Sequence, residues 1–288
     1  MKKNILFLMP VFLLFILCQN SNKKIETAQI FPSDTIPMQY IHQYPRFCMP
    51  ILDGIVNDSL HFDVFFDTGS PGGNFYISDS FKTLFDSDSA FVQIGKIKKK
   101  MGIRYWGSNQ QGLINILGIN TIMVGWDFFE KKIIELNFQN QHILVYNGLP
   151  DVTKYSKTKI TLSPTSKLLI PAQVALQGKK IEDSVVIDSG CNNYMVFSSK
   201  PIEEQSIDTT NTSYGKGTAT GGGPRSTFAI LADSIKIGDF YIANQKIWIT
   251  FETNNYRRGG LLGTRTMENF IVILDFINYD LYLKKIDN

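Results

Sequence analysis

Past residue 45 the chain is a succession of short apolar runs, rich in β-branched and aromatic residues, with Gly, Asn, Asp and Ser between them. Examples are Phe62–Phe66, Asn74–Ile77, Ile133–Phe138, His142–Tyr146, Ser184–Ile187, Met195–Phe197, Ile247–Phe251 and Phe270–Phe276. Apolar runs of strand length bounded by turn residues predict β-strands. Helical periodicity is confined to a short segment after Gly125, Trp126–Lys132, and to its counterpart after Gly263. The pattern predicts an all-β protein.

The same pattern occurs twice. Setting Pro50 on Pro171 sets Asp67 on Asp188, Gly69 on Gly190 and Ser78 on Ser199, and no gap is needed across that stretch. A second block repeats later in each half, with Gly125 on Gly263, Glu130 on Glu268, Leu136 on Leu274, Phe138 on Phe276 and Asn140 on Asn278. Two blocks in the same order predict a duplicated lobe. The extra length of the second half falls between the blocks, where loops and hairpins absorb insertions. The polar stretch from Asn147 to Lys159 holds the boundary. The expected organisation is a linker over 19–44, a first lobe over 45–148 and a second over 149–288.

Charge and the N-terminus add little about fold but bear on location. A net charge of +3 over 288 residues gives no argument for nucleic acid. The basic run Lys96–Lys100 is expected as a solvated hairpin edge. Lys2 and Lys3 precede an apolar run from Ile5 to Leu17, too short to span a bilayer comfortably, and Cys18 follows at once. This resembles a bacterial lipoprotein signal over 1–18, with Cys18 as the candidate lipidated residue; Leu17 stands where that pattern has a small residue. The expectation is an exported protein, either membrane-anchored through Cys18 or secreted. Cys48 and Cys191 do not make a disulfide framework and are expected as free, packed thiols.

Each half carries an apolar strand ending in Asp-Thr/Ser-Gly: Phe66-Asp67-Thr68-Gly69-Ser70, then Ile187-Asp188-Ser189-Gly190-Cys191. Each half later carries two apolar residues and a glycine, Met123-Val124-Gly125 and Leu261-Leu262-Gly263. One Asp-Thr-Gly alone also marks ordinary turns. Two in register, each with its apolar-apolar-Gly partner, resemble the pepsin-like and retropepsin-like aspartic proteases over the whole chain after about residue 45. The resemblance implies two β-barrel-like lobes with a cleft between them, and endopeptidase action on an extended peptide or protein substrate. It implies Asp67 and Asp188 as the catalytic pair, no cofactor and no metal. One chain supplies both halves, so a monomer suffices.

The chemistry explains the residue types. Two carboxyl groups that share one water cannot both ionise, so one takes a proton from the water while the other donates to the scissile carbonyl. Gly69 and Gly190 allow the backbone to approach the carboxyls. In the family, the hydroxyls matching Thr68 and Ser189 reach across to the opposite lobe, and the apolar-apolar-Gly segments pack beneath the catalytic loops. A hydroxyl such as that of Ser70 donates to the outer carboxylate oxygen in many members. Cys191 is a weaker donor, so Asp188 is expected to be the more often protonated partner. A flap carrying an aromatic residue is expected from the first lobe, at Gly102–Gly107, with Tyr105 and Trp106 as the substrate-covering candidates. Tyr214–Arg225 is glycine-rich, lacks the Gly-Lys-Ser/Thr of a phosphate loop, and is expected as a mobile hairpin near the cleft.

Other chemistries fit less well. His42, His61 and His142 have no metal-ligand spacing, no Gly-x-Ser-x-Gly occurs, and Cys191 lacks a histidine partner for nucleophilic work. The reading that stays open beside the protease is a catalytically silent peptide-binding protein on the same fold. A purely structural surface lipoprotein leaves the duplicated Asp-Thr/Ser-Gly unexplained.

Overall fold

A computed structural model describes residues 30–40, 48–106, 115–210, 212–219, 223–250 and 259–286. Cys18 and the apolar run before it lie outside these residues. Among the described residues no helix is long and apolar enough to cross a membrane.

The chain is all-β and forms two closed six-stranded barrels joined by a shared sheet. After an opening strand β1 (Asp34–Pro37), the first barrel comprises β2 (Ile51–Val56), β3 (Leu60–Asp67), β4 (Asn74–Ser78), β5 (Ser89–Ile94), β6 (Ile97–Trp106) and β7 (Thr121–Gly125). Strands β8 (Ile133–Asn137) and β9 (His142–Tyr146) then enter the shared sheet. In the second half, β10 (Ser156–Lys159) and β11 (Thr161–Leu162) lead into β12 (Leu168–Leu176), β13 (Lys179–Ile187), β14 (Met195–Ser198), β15 (Ser213–Ala219), β16 (Gly223–Ile237), β17 (Phe240–Thr250) and β18 (Gly260–Leu262). Strands β19 (Phe270–Asp275) and β20 (Asp280–Lys285) complete the fold.

The first barrel closes in the order β2-β3-β7-β4-β6-β5. The second runs β12-β13-β18-β14-β17-β16 and closes through pairing of β16 with β12. Each strand thus has its counterpart, and β15 is an addition that pairs on β16. Closure leaves no open edge in either barrel. The interiors are apolar: Val64, Phe66, Phe75, Val92 and Val124 fill the first, and Ile170, Val185, Ile187, Phe197, Ile235 and Ile249 the second.

The shared sheet, β1-β9-β8-β19-β20-β10, makes the duplication visible. At its centre β8 runs antiparallel to β19, with Ile271 opposite Asn137, Glu135 opposite Ile273, and Asp275 opposite Ile133. Glu135 and Ile273 are matched positions of the repeat, so each strand pairs with its own copy about a local two-fold axis.

Two sequence expectations need correction. The stretch 19–44, expected as linker, contributes β1, which pairs with β9 from Asp34↔Val145 to Pro37↔His142 and buries Ile36 and Met38. Its alternation is only four residues long, too short to stand out from a polar leader. The gapless alignment around the first hairpin also fails. Val56 pairs with Leu60 and Val174 with Ile181, so three residues separate one pair and six the other. Strand β2 therefore lies on β12 with Ile51 on Leu169 and Val56 on Val174, and their burial patterns then coincide position by position. The longer hairpin turns through Gln177 and Gly178, both at positive φ, the conformation a two-residue turn demands.

Leu274 is fully buried in the shared sheet, whereas Leu231 is 62% exposed. Leu274→Ala is expected to cost about 2–5 kcal/mol of unfolding free energy. Leu231→Ala is expected to stay within about 0.5 kcal/mol. Urea unfolding of the two variants checks both.

Candidate active site

Asp67 ends β3, and Asp188 follows β13. Each of these strands lies beside the strand that carries the apolar-apolar-Gly segment of the same half. β3 runs parallel to β7, with Phe66 opposite Val124 and Asp67 opposite Gly125, and β13 runs parallel to β18, with Ile187 opposite Leu262. Parallel pairing aims both strand ends in one direction, so each aspartate emerges where its strand leaves the barrel. The glycines after the apolar pairs are there for space. A methyl group on Gly125 would collide with the Ser70 carbonyl, and one on Gly263 with the carbonyls of Asn193 and Cys191. The turns that carry Asp67 and Asp188 therefore rest directly on bare backbone.

The two turns meet across the two-fold axis through four hydrogen bonds. The Thr68 hydroxyl donates to the Ile187 carbonyl at 2.8 Å and accepts from the Ser189 N–H at 2.9 Å. The Ser189 hydroxyl donates to the Phe66 carbonyl at 2.6 Å and accepts from the Thr68 N–H at 2.9 Å. Thr68 and Ser189 are both fully buried. Each hydroxyl acts as donor and acceptor at once, and neither has another residue type of the same size that could do both.

This clasp places the carboxyls of Asp67 and Asp188 within hydrogen-bonding distance of each other. Gly69 N–H donates to Asp67 Oδ1 at 2.8 Å, and Gly190 N–H to Asp188 Oδ1 at 2.9 Å. The same glycines also face the opposite aspartate: a methyl on Gly69 would lie 2.7 Å from Asp188 Cγ, and one on Gly190 2.7 Å from Asp67 Cγ. Asp67 is 4% exposed and Asp188 is partly exposed, so the pair opens to solvent on the Asp188 side.

Burial, followed by the charge of Asp188, holds the Asp67 carboxyl well above the usual carboxylate range. Burial also raises Asp188, but a hydrogen bond from Asp67, the positive charge of Lys167 and the N–H groups of Gly190 and Cys191 offset part of that rise. Both carboxyls are raised by burial, and both turns supply N–H donors to the pair, so the two titrate together as one unit. Among the described residues Ser70 Oγ makes no hydrogen bond to Asp67; its N–H bonds to the Asp67 carbonyl at 3.1 Å.

Both cysteines are free. Burial, then the charge of Asp188, pushes the Cys191 thiol up to about 12, and its sulfur accepts from Asn193, with Nδ2 at 3.9 Å. Cys48 lies across the lobe boundary, donating from its thiol to Glu268 Oε2 at 2.8 Å and from its N–H to Asn192 Oδ1 at 2.9 Å. Burial and Glu268 push that thiol up to about 12 as well. Thiols held this high carry little thiolate at neutral pH, so neither is an activated nucleophile. Among the described residues no group of three or more His, Cys, Asp and Glu side chains comes together as a metal site would require.

The flap expectation at Tyr105 and Trp106 is overturned. Both belong to β6, which pairs in parallel with β4 as part of the closed barrel, Tyr105 opposite Ile77 and Trp106 opposite Ser78. Trp106 is 3% exposed and packs with Met49, Phe65 and Met123. Tyr105 is half-buried against the core with Lys82 5.8 Å from its ring centroid. Aromatic residues beside glycine suit a flap tip and a barrel strand equally; burial separates the two. Gly107 lies outside the described residues. The glycine-rich stretch of the second lobe does form a hairpin, β15 with β16, paired from Ser213↔Ala229 to Ala219↔Gly223.

Three supports were not foreseen from the sequence. Asp127 accepts from Gly73 N–H through Oδ2 at 2.6 Å and tethers the chain that follows Asp67. Trp126 Nε1 donates to the Ser166 carbonyl at 2.9 Å, fastening the first lobe to the turn before β12. Lys167, in that turn, acts electrostatically on both aspartates. Trp126 and Asp127 directly follow Gly125, which was the available signal; Lys167 had none until the hairpin register was known.

The chain matches no family model and no curated protein sequence.

Two outcomes follow from the clasp and the carboxyl pair. Thr68→Val removes one donor and leaves the buried Ser189 N–H unpaired, which is expected to cost about 1–3 kcal/mol in denaturant unfolding. The raised carboxyls bind protons more tightly in the folded chain. The stability they contribute is therefore complete below the ordinary carboxylate range and is lost as pH rises through the raised values. Asp67→Asn removes that loss, so its melting temperature should exceed the wild type's by a margin that grows from about pH 4 to about pH 8.

Proposed function

We propose that the protein is an aspartic endopeptidase of the pepsin and retropepsin type, with Asp67 and Asp188 activating the hydrolytic water. The observation that carries this reading is the adjacent pair of carboxyls, each on an Asp-Thr/Ser-Gly turn whose glycine lies against the opposite carboxyl, and each raised in pKa by burial. A lone buried carboxylate would be a structural oddity; two facing each other, supported symmetrically, make a site that holds one proton between them.

The chemistry follows from that shared proton. An extended peptide lies across the junction of the lobes, with its scissile carbonyl over the pair. Asp188 takes a proton from water as the water oxygen bonds to the carbonyl carbon, and Asp67 gives its proton to the carbonyl oxygen. The products of this step are a neutral gem-diol, a protonated Asp188 and an ionised Asp67. Asp188 then protonates the leaving nitrogen, Asp67 recovers a proton from a diol hydroxyl, and the C–N bond breaks to a carboxylic acid and an amine. The pair ends with one proton, as it began. Neither a covalent intermediate nor a cofactor enters the sequence.

Thr68 and Ser189 are positioning residues in this scheme. They fix the two turns so that the carboxyls stay side by side, and they touch no substrate. Gly69 and Gly190 supply the N–H donors and the room for the opposite carboxyl. Export, and anchoring through Cys18, is proposed from the resemblance of residues 1–18 to a lipoprotein signal.

The test is cleavage of a random peptide library by the mature chain across a range of pH. Wild type should cleave, with activity falling as pH rises through the raised carboxyl values. Asp67→Asn and Asp188→Asn should each lose about 10²–10⁴-fold in kcat/KM or more. Cleavage that survives both substitutions would place the active site elsewhere. A folded wild type that binds peptides and cleaves none at any pH would make this a peptide-binding protein.

A further inference from the structure

Lys167 breaks the two-fold symmetry beside the carboxyl pair. In the second barrel Leu169 pairs with Val186. Continued two residues past that last pair, just beyond both strand ends, the register brings Lys167 opposite Asp188 and to the same face, because directly opposed residues of an antiparallel pair point the same way. In the first barrel Ile51 pairs with Phe65, so the residue set opposite Asp67 is Met49. Met49 is 4% exposed and packs with Phe65, Trp106 and Met123. One side of the pair therefore has a buried thioether and the other an ammonium group.

The backbone at Lys167 is held. Its N–H donates to Ser163 Oγ at 3.0 Å, its carbonyl accepts from Ser163 N–H at 2.9 Å, and the neighbouring Ser166 carbonyl is bound by Trp126 Nε1. The side chain is half-buried. Among the described residues its ammonium makes no salt bridge and no hydrogen bond. It lowers both aspartates from where burial would put them, so its charge is felt at the reacting centre. The carboxyls do not satisfy it: each accepts from its own turn N–H, and among the described residues neither forms an ion pair with Lys167.

A half-buried lysine whose backbone is held beside the carboxyl pair calls for an anion from the ligand. We propose that Lys167 is a specificity-determining residue, binding a substrate carboxylate close to the scissile bond on the second-lobe side. The inference rests on the endopeptidase reading for the location of the peptide. Because Met49 takes the matching place on the other side, the carboxylate also fixes the direction in which a peptide lies across a nearly symmetric site. The carboxylate can come from an Asp or Glu side chain or from a free chain terminus; both offer the same group.

The experiment uses the mature chain and non-cleavable reduced-amide peptides, made in pairs that differ only in Glu against Gln at each position flanking the reduced bond. A further pair differs in free against amidated C-terminus. Calorimetry should show one Glu peptide, or the free-acid peptide, binding roughly tenfold more tightly than its neutral partner. Which pair responds tells side chain from terminus. The ratio should fall to about one in Lys167→Gln and invert in Lys167→Glu, with both variants melting at the wild-type temperature. The matching cleavable peptides should show the same ratio in kcat/KM. Equal binding within every pair by wild type, or a preference that survives in Lys167→Gln, would overturn the inference. Cleavage with no acidic preference would sink this inference and leave the endopeptidase standing. A Lys167-dependent binding preference with no cleavage would do the reverse.

Discussion

The four hydrogen bonds between Thr68, Ser189, Phe66 and Ile187 are the constraint on which the site depends. They lie at the local two-fold axis, fully buried, and they join backbone to side chain in both directions. Two barrels pressed together by apolar contact alone could slide by an ångström or two, because burial is non-directional. A carboxyl pair cannot tolerate that slide. The clasp converts approximate apposition into one geometry. The glycines Gly125 and Gly263 let the clasped turns settle onto the strands below them.

The shared sheet holds the same axis from the other end. Strands β8 and β19 pair about Glu135 and Ile273, and β1 and β10 extend the sheet on either side. The lobes are thus registered twice, by a sheet of six strands and by a four-bond clasp. Polar contacts at the boundary add to this. Cys48 reaches Asn192 and Glu268, and Trp126 reaches Ser166. The electrostatics of the carboxyls follow from this fixed geometry. Burial raises both, and the positive charge of Lys167 lowers both from where burial would put them.

The departures from symmetry are where selectivity can arise. A duplicated fold begins with two equivalent halves, but the peptide substrate proposed for this site has a direction. Here the second half carries a longer first hairpin, an added strand β15, and Lys167 where the first half has Met49. None of these touches the clasp, whose four hydrogen bonds involve only Thr68, Ser189, Phe66 and Ile187.

Much of this was legible in the chain itself. Short alternating runs with turn residues between them determine an all-β protein, because strand alternation is a local property. The repeated Asp-Thr/Ser-Gly and apolar-apolar-Gly determine which residues lie at the axis, because no other residues satisfy those close approaches. What pairs with what was decided only in three dimensions. A three-residue difference in a hairpin is invisible while a gapless alignment also fits, yet it changes which residue faces Asp188. Strand β1 gains its place only from β9, more than a hundred residues away. Trp106 reads equally well as a flap tip or a wall residue until the barrel closes around it. Lys167 is one lysine among many until the register brings it beside the carboxyls. Periodicity fixes the face a side chain takes, but its neighbours across the sheet depend on non-local pairing, and that pairing is set by the packing of the whole barrel.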